Sequence, residues 1–195
     1  MAWWKFESNV EDSANHYHGS MQDGAVYVDG YVGRALSIQA VQYMYVNTPF
    51  INLANRPFTM EAWIFLTSIN TTEETGIFGQ CEKETLDRCL HFDIRGQKLF
   101  MGFYSDDLTG PTNLIIQIWT HVAFVYDMAT NTKLIYINGR LDNSAPSNSS
   151  YQGTSGMMYV GLSGLQSATL PFSGYMDQVS DSIDRWIRWI CPLHR

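Results

Sequence analysis

Hydrophobic positions along the chain come in short runs, interrupted by turn residues at close intervals. "AWWKF", "AVYV", "FTMEAWIFL", "TGIFGQC", "LHFDIRGQKLFMGFY", "WTHVAFVYD" and "KLIYINGRL" are rich in β-branched and aromatic residues. Helical periodicity is nearly absent, and so is strand–helix alternation. Many short strands with regular turn signals predict an all-β chain folded as a β-sandwich or jelly roll of two antiparallel sheets.

The stretch Trp119–Asp142 shows the pattern in detail. In "HVAFVYD", Val122, Phe124 and Tyr126 point one way and His121, Ala123 and Val125 the other. Both sets are mostly apolar, which predicts a central strand with material on each face. Asn138-Gly139 supplies the positive φ angles of a tight hairpin turn. A second hairpin is expected around Gly96, in "DIRGQKL". "DNSAPSNSSYQGTSG", Asp142 to Gly156, reads as a long polar surface loop.

The end of the chain differs. In "DSIDRWIRWICPLHR", Trp186, Trp189 and Ile190 fall on one helical face and Pro192 stops the pattern. The expected organisation is one sandwich over residues 1–180 and an atypical tail over 181–195 that carries a short C-terminal helix.

Length and charge narrow the class. The chain has 195 residues, enough for one domain with an ordinary core. A net charge of −7 argues against a nucleic-acid surface, which needs clustered Lys and Arg. No apolar run approaches the roughly 20 residues of a membrane span. "MAWWKFESN" lacks the features of a signal peptide, which fits either a cytosolic chain or a piece of a longer secreted one.

Cys81 and Cys89 bracket "EKETLDR" without the partners of a zinc site. A disulfide between them is expected in an oxidising compartment, with Cys191 left unpaired; the alternative is free thiols. Glycosylation acceptor sequons begin at Asn70 and Asn148, both in polar stretches.

At this point the motifs carry a resemblance. "FTMEAWI" (58–64), "WTHVAFVYD" (119–127), "LIYING" (134–139) and "FSGYMDQV" (172–179), preceded by "EDSANHYHG" (11–19) and "GRALSI" (33–38), resemble the laminin-G-like, concanavalin A-like lectin/glucanase superfamily. The match runs from about Trp3 to Val179. It implies a jelly-roll sandwich and a binding or adhesion module, usually extracellular. The resemblance also implies that first and last segments are neighbours. Asp12 and Asp177 are therefore candidates to share a calcium ion, completed by carbonyls near Asn15 to His18.

Other candidates come from the residues themselves. Alternation puts His91, Asp93 and Arg95 on one strand face, suited to bonding sugar hydroxyls. Tyr104 and Tyr151, on loop-like stretches, are the aromatic candidates for a ligand, whereas Trp63 and Trp119 read as core packing. Glu61 and His121 sit in apolar β runs and are expected to meet across adjacent strands as a structural polar pair. Hydrolysis by a related glucanase would require paired carboxylates, and Glu61 stands alone on its strand. The expected function is therefore a non-enzymatic extracellular module recognising glycans or protein partners, within a larger protein. The rivals are a glycoside hydrolase of the same fold and a structural adhesion spacer.

Overall fold

The computed structural model describes residues 1–39, 45–69, 71–165 and 169–183. Sixteen strands and no helix occur among them. In chain order they begin with β1 (Ala2–Trp4), β2 (Ser20–Gln22), β3 (Val26–Asp29), β4 (Arg34–Ile38) and β5 (Tyr45–Thr48). Next come β6 (Phe58–Leu66), β7 (Glu74–Cys81), β8 (Cys89–Arg95), β9 (Lys98–Gly102), β10 (Asp107–Asn113) and β11 (Trp119–Asp127). The series closes with β12 (Thr132–Ile137), β13 (Arg140–Pro146), β14 (Met158–Val160), β15 (Thr169–Leu170) and β16 (Gly174–Ser182).

The strands form two sheets. One has the order β13-β12-β11-β6-β16-β4-β3, with β1 also paired to β16. The other has the order β10-β9-β8-β7-β14-β5-β2, with β15 beside β7. All neighbours are antiparallel except β15 and β7. Inner faces supply the core: Met60, Ala62 and Ile64 of β6 and Val122 and Phe124 of β11 meet Phe78 of β7 and Leu90 and Phe92 of β8. Phe92 and Phe124 stack across the two sheets with centroids 4.4 Å apart.

The alternation read in "HVAFVYD" is the alternation found, and β11 is central, between β6 and β12. Both expected hairpin turns form. Asn138 and Gly139 take φ of 49° and 74°, and Gly96 and Gln97 take 51° and 75°. The expected loop from Asp142 is corrected in part. Residues 140–146 are the edge strand β13, because the tight Asn-Gly turn pairs Ile137 with Arg140 and carries the ladder on to Pro146. The strand is polar because it is an edge.

β16 runs two residues past the expected end of the sandwich, to Ser182. The expected tail helix, Cys191 and the Asn70 sequon lie outside the described residues. The second sequon residue, Asn148, is exposed.

Candidate functional site

β8 alternates as expected, with Leu90, Phe92 and Ile94 in the core and His91, Asp93 and Arg95 on the outer face. Its register with β9 places Asp93 opposite Phe100 and His91 opposite Gly102. Phe100 becomes a shared platform. The His91 ring stacks on it at 5.6 Å, and the Arg95 guanidinium lies 3.4 Å from its centroid. Glu74, at the start of β7, pairs with Arg95 at 2.9 Å. Asp107, at the start of β10, faces His91 Nε2 at 3.5 Å. His91 Nδ1 donates to the Cys89 carbonyl at 3.0 Å, which fixes the ring.

Gly102 makes that approach possible. A Cβ there would sit 2.0 Å from Asp107 Oδ1 and 2.7 Å from His91 Nε2. Glycines also shape the other side. Ser163 and its neighbour Leu162 lie directly on Gly76 and Gly79 of β7, where any Cβ would collide with their backbone. This segment covers part of the sheet and leaves an open cavity of about 260 Å³ beside it. The cavity is lined by Glu74, His91, Arg95, Tyr104, Asp107 and Leu165, together with Ser105.

Three of the expected ligand residues therefore meet at one cavity: His91, Arg95 and Tyr104. Asp93 lies beneath it and is fully buried. Burial pushes its carboxyl up to about 6, against the opposing pull of His91 and Arg95. Its Oδ1 has no hydrogen-bond partner, and neither does the buried Nε of Arg95. Tyr151 is a correction. It is fully buried in the core, its hydroxyl donates to the Gln80 carbonyl at 2.9 Å, and burial pushes the phenol up to about 12. Its polar neighbours suggested exposure, but the chain after β13 folds this one ring inward against Phe103.

The expected calcium ligands take different partners. Asp12 Oδ1 accepts from the backbone N–H groups of Trp3 and Ala14, at 2.7 and 2.8 Å. Its Oδ2 accepts from those of His16 and Tyr17, both at 3.0 Å. Burial opposes ionisation here, but the four donors outweigh it and hold the carboxyl below its ordinary range. Asp177 Oδ2 accepts from Val32 N–H at 2.9 Å, and burial raises this carboxyl to about 6. Among the described residues, no group of three or more His, Cys, Asp or Glu side chains is arranged to hold a metal ion.

Cys81 and Cys89 form a disulfide, joining β7 to β8 where the two residues are directly opposite. Glu61 and His121 lie on the outer face of the other sheet, with Oε2 3.4 Å from Nε2. Trp63 and Trp119 share that face and are only partly buried, so they point away from the core they were expected to fill. Both faces of β6 and β11 are apolar, and periodicity alone does not say which one meets the second sheet.

The family comparison agrees with this architecture. A profile of the Concanavalin A-like lectin/glucanases superfamily matches residues 41–180. The chain belongs to this superfamily. No curated protein matches the sequence. Among solved structures, it is similar to domain 4 of AbnA, a GH43 extracellular arabinanase from Geobacillus stearothermophilus solved with arabinotriose. The TM-score is 0.74 at 19% identity, covering 92% of this chain and 90% of that one. The binding domain of Paraclostridial Mosquitocidal Protein 1 gives 0.73 at 14% identity, covering 94% of this chain and 48% of that one. The binding domain of botulinum neurotoxin serotype D/C gives 0.72 at 10%, covering 93% and 48%. The superfamily member described here thus spans about half of each toxin binding domain. At these identities the likeness is one of fold.

Proposed function

We propose that this domain is a non-catalytic glycan-binding module that works outside the cell, as one part of a larger protein. The observation that carries the reading is the convergence of His91, Arg95, Tyr104, Glu74 and Asp107 on one open cavity. Planar charged groups beside a tyrosine suit a saccharide, whose hydroxyls need donors and acceptors and whose ring faces need an aromatic wall. The similar arabinanase domain was solved with arabinotriose, which makes neutral oligosaccharides the first ligands to test. A disulfide fits an oxidising compartment.

Binding rather than hydrolysis is favoured by how the carboxylates are engaged. Asp93 is buried beneath the cavity, Glu74 is paired with Arg95, and Asp107 faces His91. Glycoside hydrolysis needs two carboxyl groups free to flank the scissile bond.

A glycan array followed by calorimetry with arabinotriose tests the reading. Tyr104→Ala and Asp107→Asn are expected to weaken binding of any saccharide found while leaving the fold intact by circular dichroism. Binding that is indifferent to both substitutions would overturn the site, and a domain that retains no saccharide at all would overturn the function.

A further inference from the structure

The outer face of the first sheet carries a different kind of site. Register places Tyr175, Phe65 and Trp119 in one row across β16, β6 and β11, and Asp177, Trp63 and His121 in the next. Tyr31, from the turn between β3 and β4, stacks flat on Trp63 with centroids 3.5 Å apart. A bulge in β16 then turns Gln178, with φ of 50°, toward β1, where its Oε1 accepts from Trp3 Nε1 at 3.1 Å. Between these elements lies a cavity of about 270 Å³ lined by Trp3, Tyr31, Val32, Trp63, Glu61, His121 and Gln178.

The chemistry of this cavity is unlike that of the saccharide site. Its walls are aromatic rings, and its charged group is one carboxylate. Glu61 is only 5% exposed. Its Oε1 accepts from Ser180 Oγ at 3.2 Å. Its Oε2 makes no hydrogen bond, although His121 Nε2 lies 3.4 Å away. Among the described residues that line the cavity there is no Lys or Arg. A desolvated carboxylate without a full partner, in a cavity lined by aromatic residues, favours a cation. A saccharide would find too few polar partners here, since Gln178 Oε1 is already taken by Trp3. The Trp3 ring shows the same preference within the chain, because Lys5 Nζ lies 4.1 Å from its centroid without lining the cavity.

We propose that Trp3, Tyr31, Trp63 and Glu61 form an aromatic cage for a quaternary ammonium group. Such a group carries positive charge, has no hydrogen-bond donors to satisfy, and is attracted by ring faces. At about 270 Å³ the cavity falls just below the usual range of ligand sites, about 300–1,000 Å³, and so suits a head group rather than a long chain. The site lies on the opposite outer face from the saccharide cavity and does not depend on that reading.

Titration of the whole chain with choline chloride, read by tryptophan fluorescence and calorimetry, tests the cage. The neutral carbon isostere 3,3-dimethylbutan-1-ol is the control. Choline is expected to bind at least about tenfold more tightly than the isostere, the scale of one cation–π or ionic contact. Glu61→Gln should remove most of that difference. Tyr31→Leu, in a surface turn, should do so too and carries the test if the Glu61 variant misfolds. Choline-competed sedimentation with phosphatidylcholine vesicles would assign the cation to a lipid head group, and free choline binding without it to a soluble ammonium compound; either outcome supports the cage. Equal affinity for choline and the isostere, or no saturable choline binding, would overturn it.

Discussion

Lys133 and Asp106 form a buried ion pair that ties the two sheets together. Lys133 points inward from β12 beside Ile135, and its Nζ lies 2.6 Å from Asp106 Oδ1 and donates to the Asp106 carbonyl at 2.6 Å. Asp106 stands between β9 and β10, in the other sheet's connection. Its Oδ2 accepts from Ser147 Oγ and from Asn148 N–H. Burial opposes the charge on Asp106, but Lys133 and Ser147 prevail and hold its carboxyl below the ordinary range. Lys133→Met leaves Asp106 with its charge and without its cation. The expected cost is about 3–5 kcal/mol, the range for breaking one side of a buried pair. Urea denaturation of the variant checks it, and a loss under about 1 kcal/mol would show that the pair contributes little.

What the sequence concealed has the same character throughout. Nothing local in "TKLIYI" indicates that the partner of Lys133 lies 27 residues earlier across the sandwich. Alternation within β8 was legible, so His91, Asp93 and Arg95 fell on the face expected of them. That Asp93 is buried was not, since the cover comes from Ser163, and only Gly76 and Gly79 hinted that a backbone would approach so closely. The aromatic cage was hidden for a third reason. Trp63 and Glu61 belong to β6, but Trp3, Tyr31 and Gln178 reach the same point from β1, a turn and a bulge.

The disulfide is expected to matter for stability more than for architecture. It links residues already opposed in the β7–β8 ladder, with a sequence separation of 8. Closing so short a loop restricts the unfolded chain by roughly 2–3 kcal/mol. Reduction, or Cys81→Ser with Cys89→Ser, should lower the guanidinium midpoint while leaving the far-ultraviolet circular dichroism unchanged. An unchanged midpoint would mean that the ladder alone supplies the constraint.

Stability should peak in mild acid. Burial raises Asp93, Asp177 and Asp181 to about 6, from an ordinary value of 3.8. A raised folded-state pKa means that the fold binds the proton more tightly than the unfolded chain. This contribution is complete below about 3.8 and is lost as pH rises through about 6. Asp12 and Asp106 work oppositely: their lowered values stabilise the fold above 3.8, and that is lost as pH falls further. The melting temperature is therefore expected to be higher near pH 5 than at pH 8. Each 1 kcal/mol is worth about 2–4 °C in a domain of this size. A melting temperature that climbs steadily from pH 5 to 8 would contradict the assignment, and Asp93→Asn should flatten the slope.

Asp12 gives the last prediction, because its four amide partners make it an anchor for the N-terminal loop. Both oxygens are occupied by N–H donors from Trp3, Ala14, His16 and Tyr17. Asp12→Asn keeps the shape but replaces one acceptor oxygen with an NH₂ that faces two donors. Those amides are then unsatisfied, at about 1–3 kcal/mol for each one left buried. The variant should melt well below the wild type, and β1, which pairs with β16 beside this loop, should lose hydrogen-exchange protection first. A calcium ion would have to displace these donors to use the same oxygens. Millimolar calcium is accordingly expected to leave the wild-type melting temperature unchanged. A calcium-dependent rise that disappears in Asp177→Ala would show instead that the loop rearranges around an ion, and that the four amides are the ion-free alternative to it.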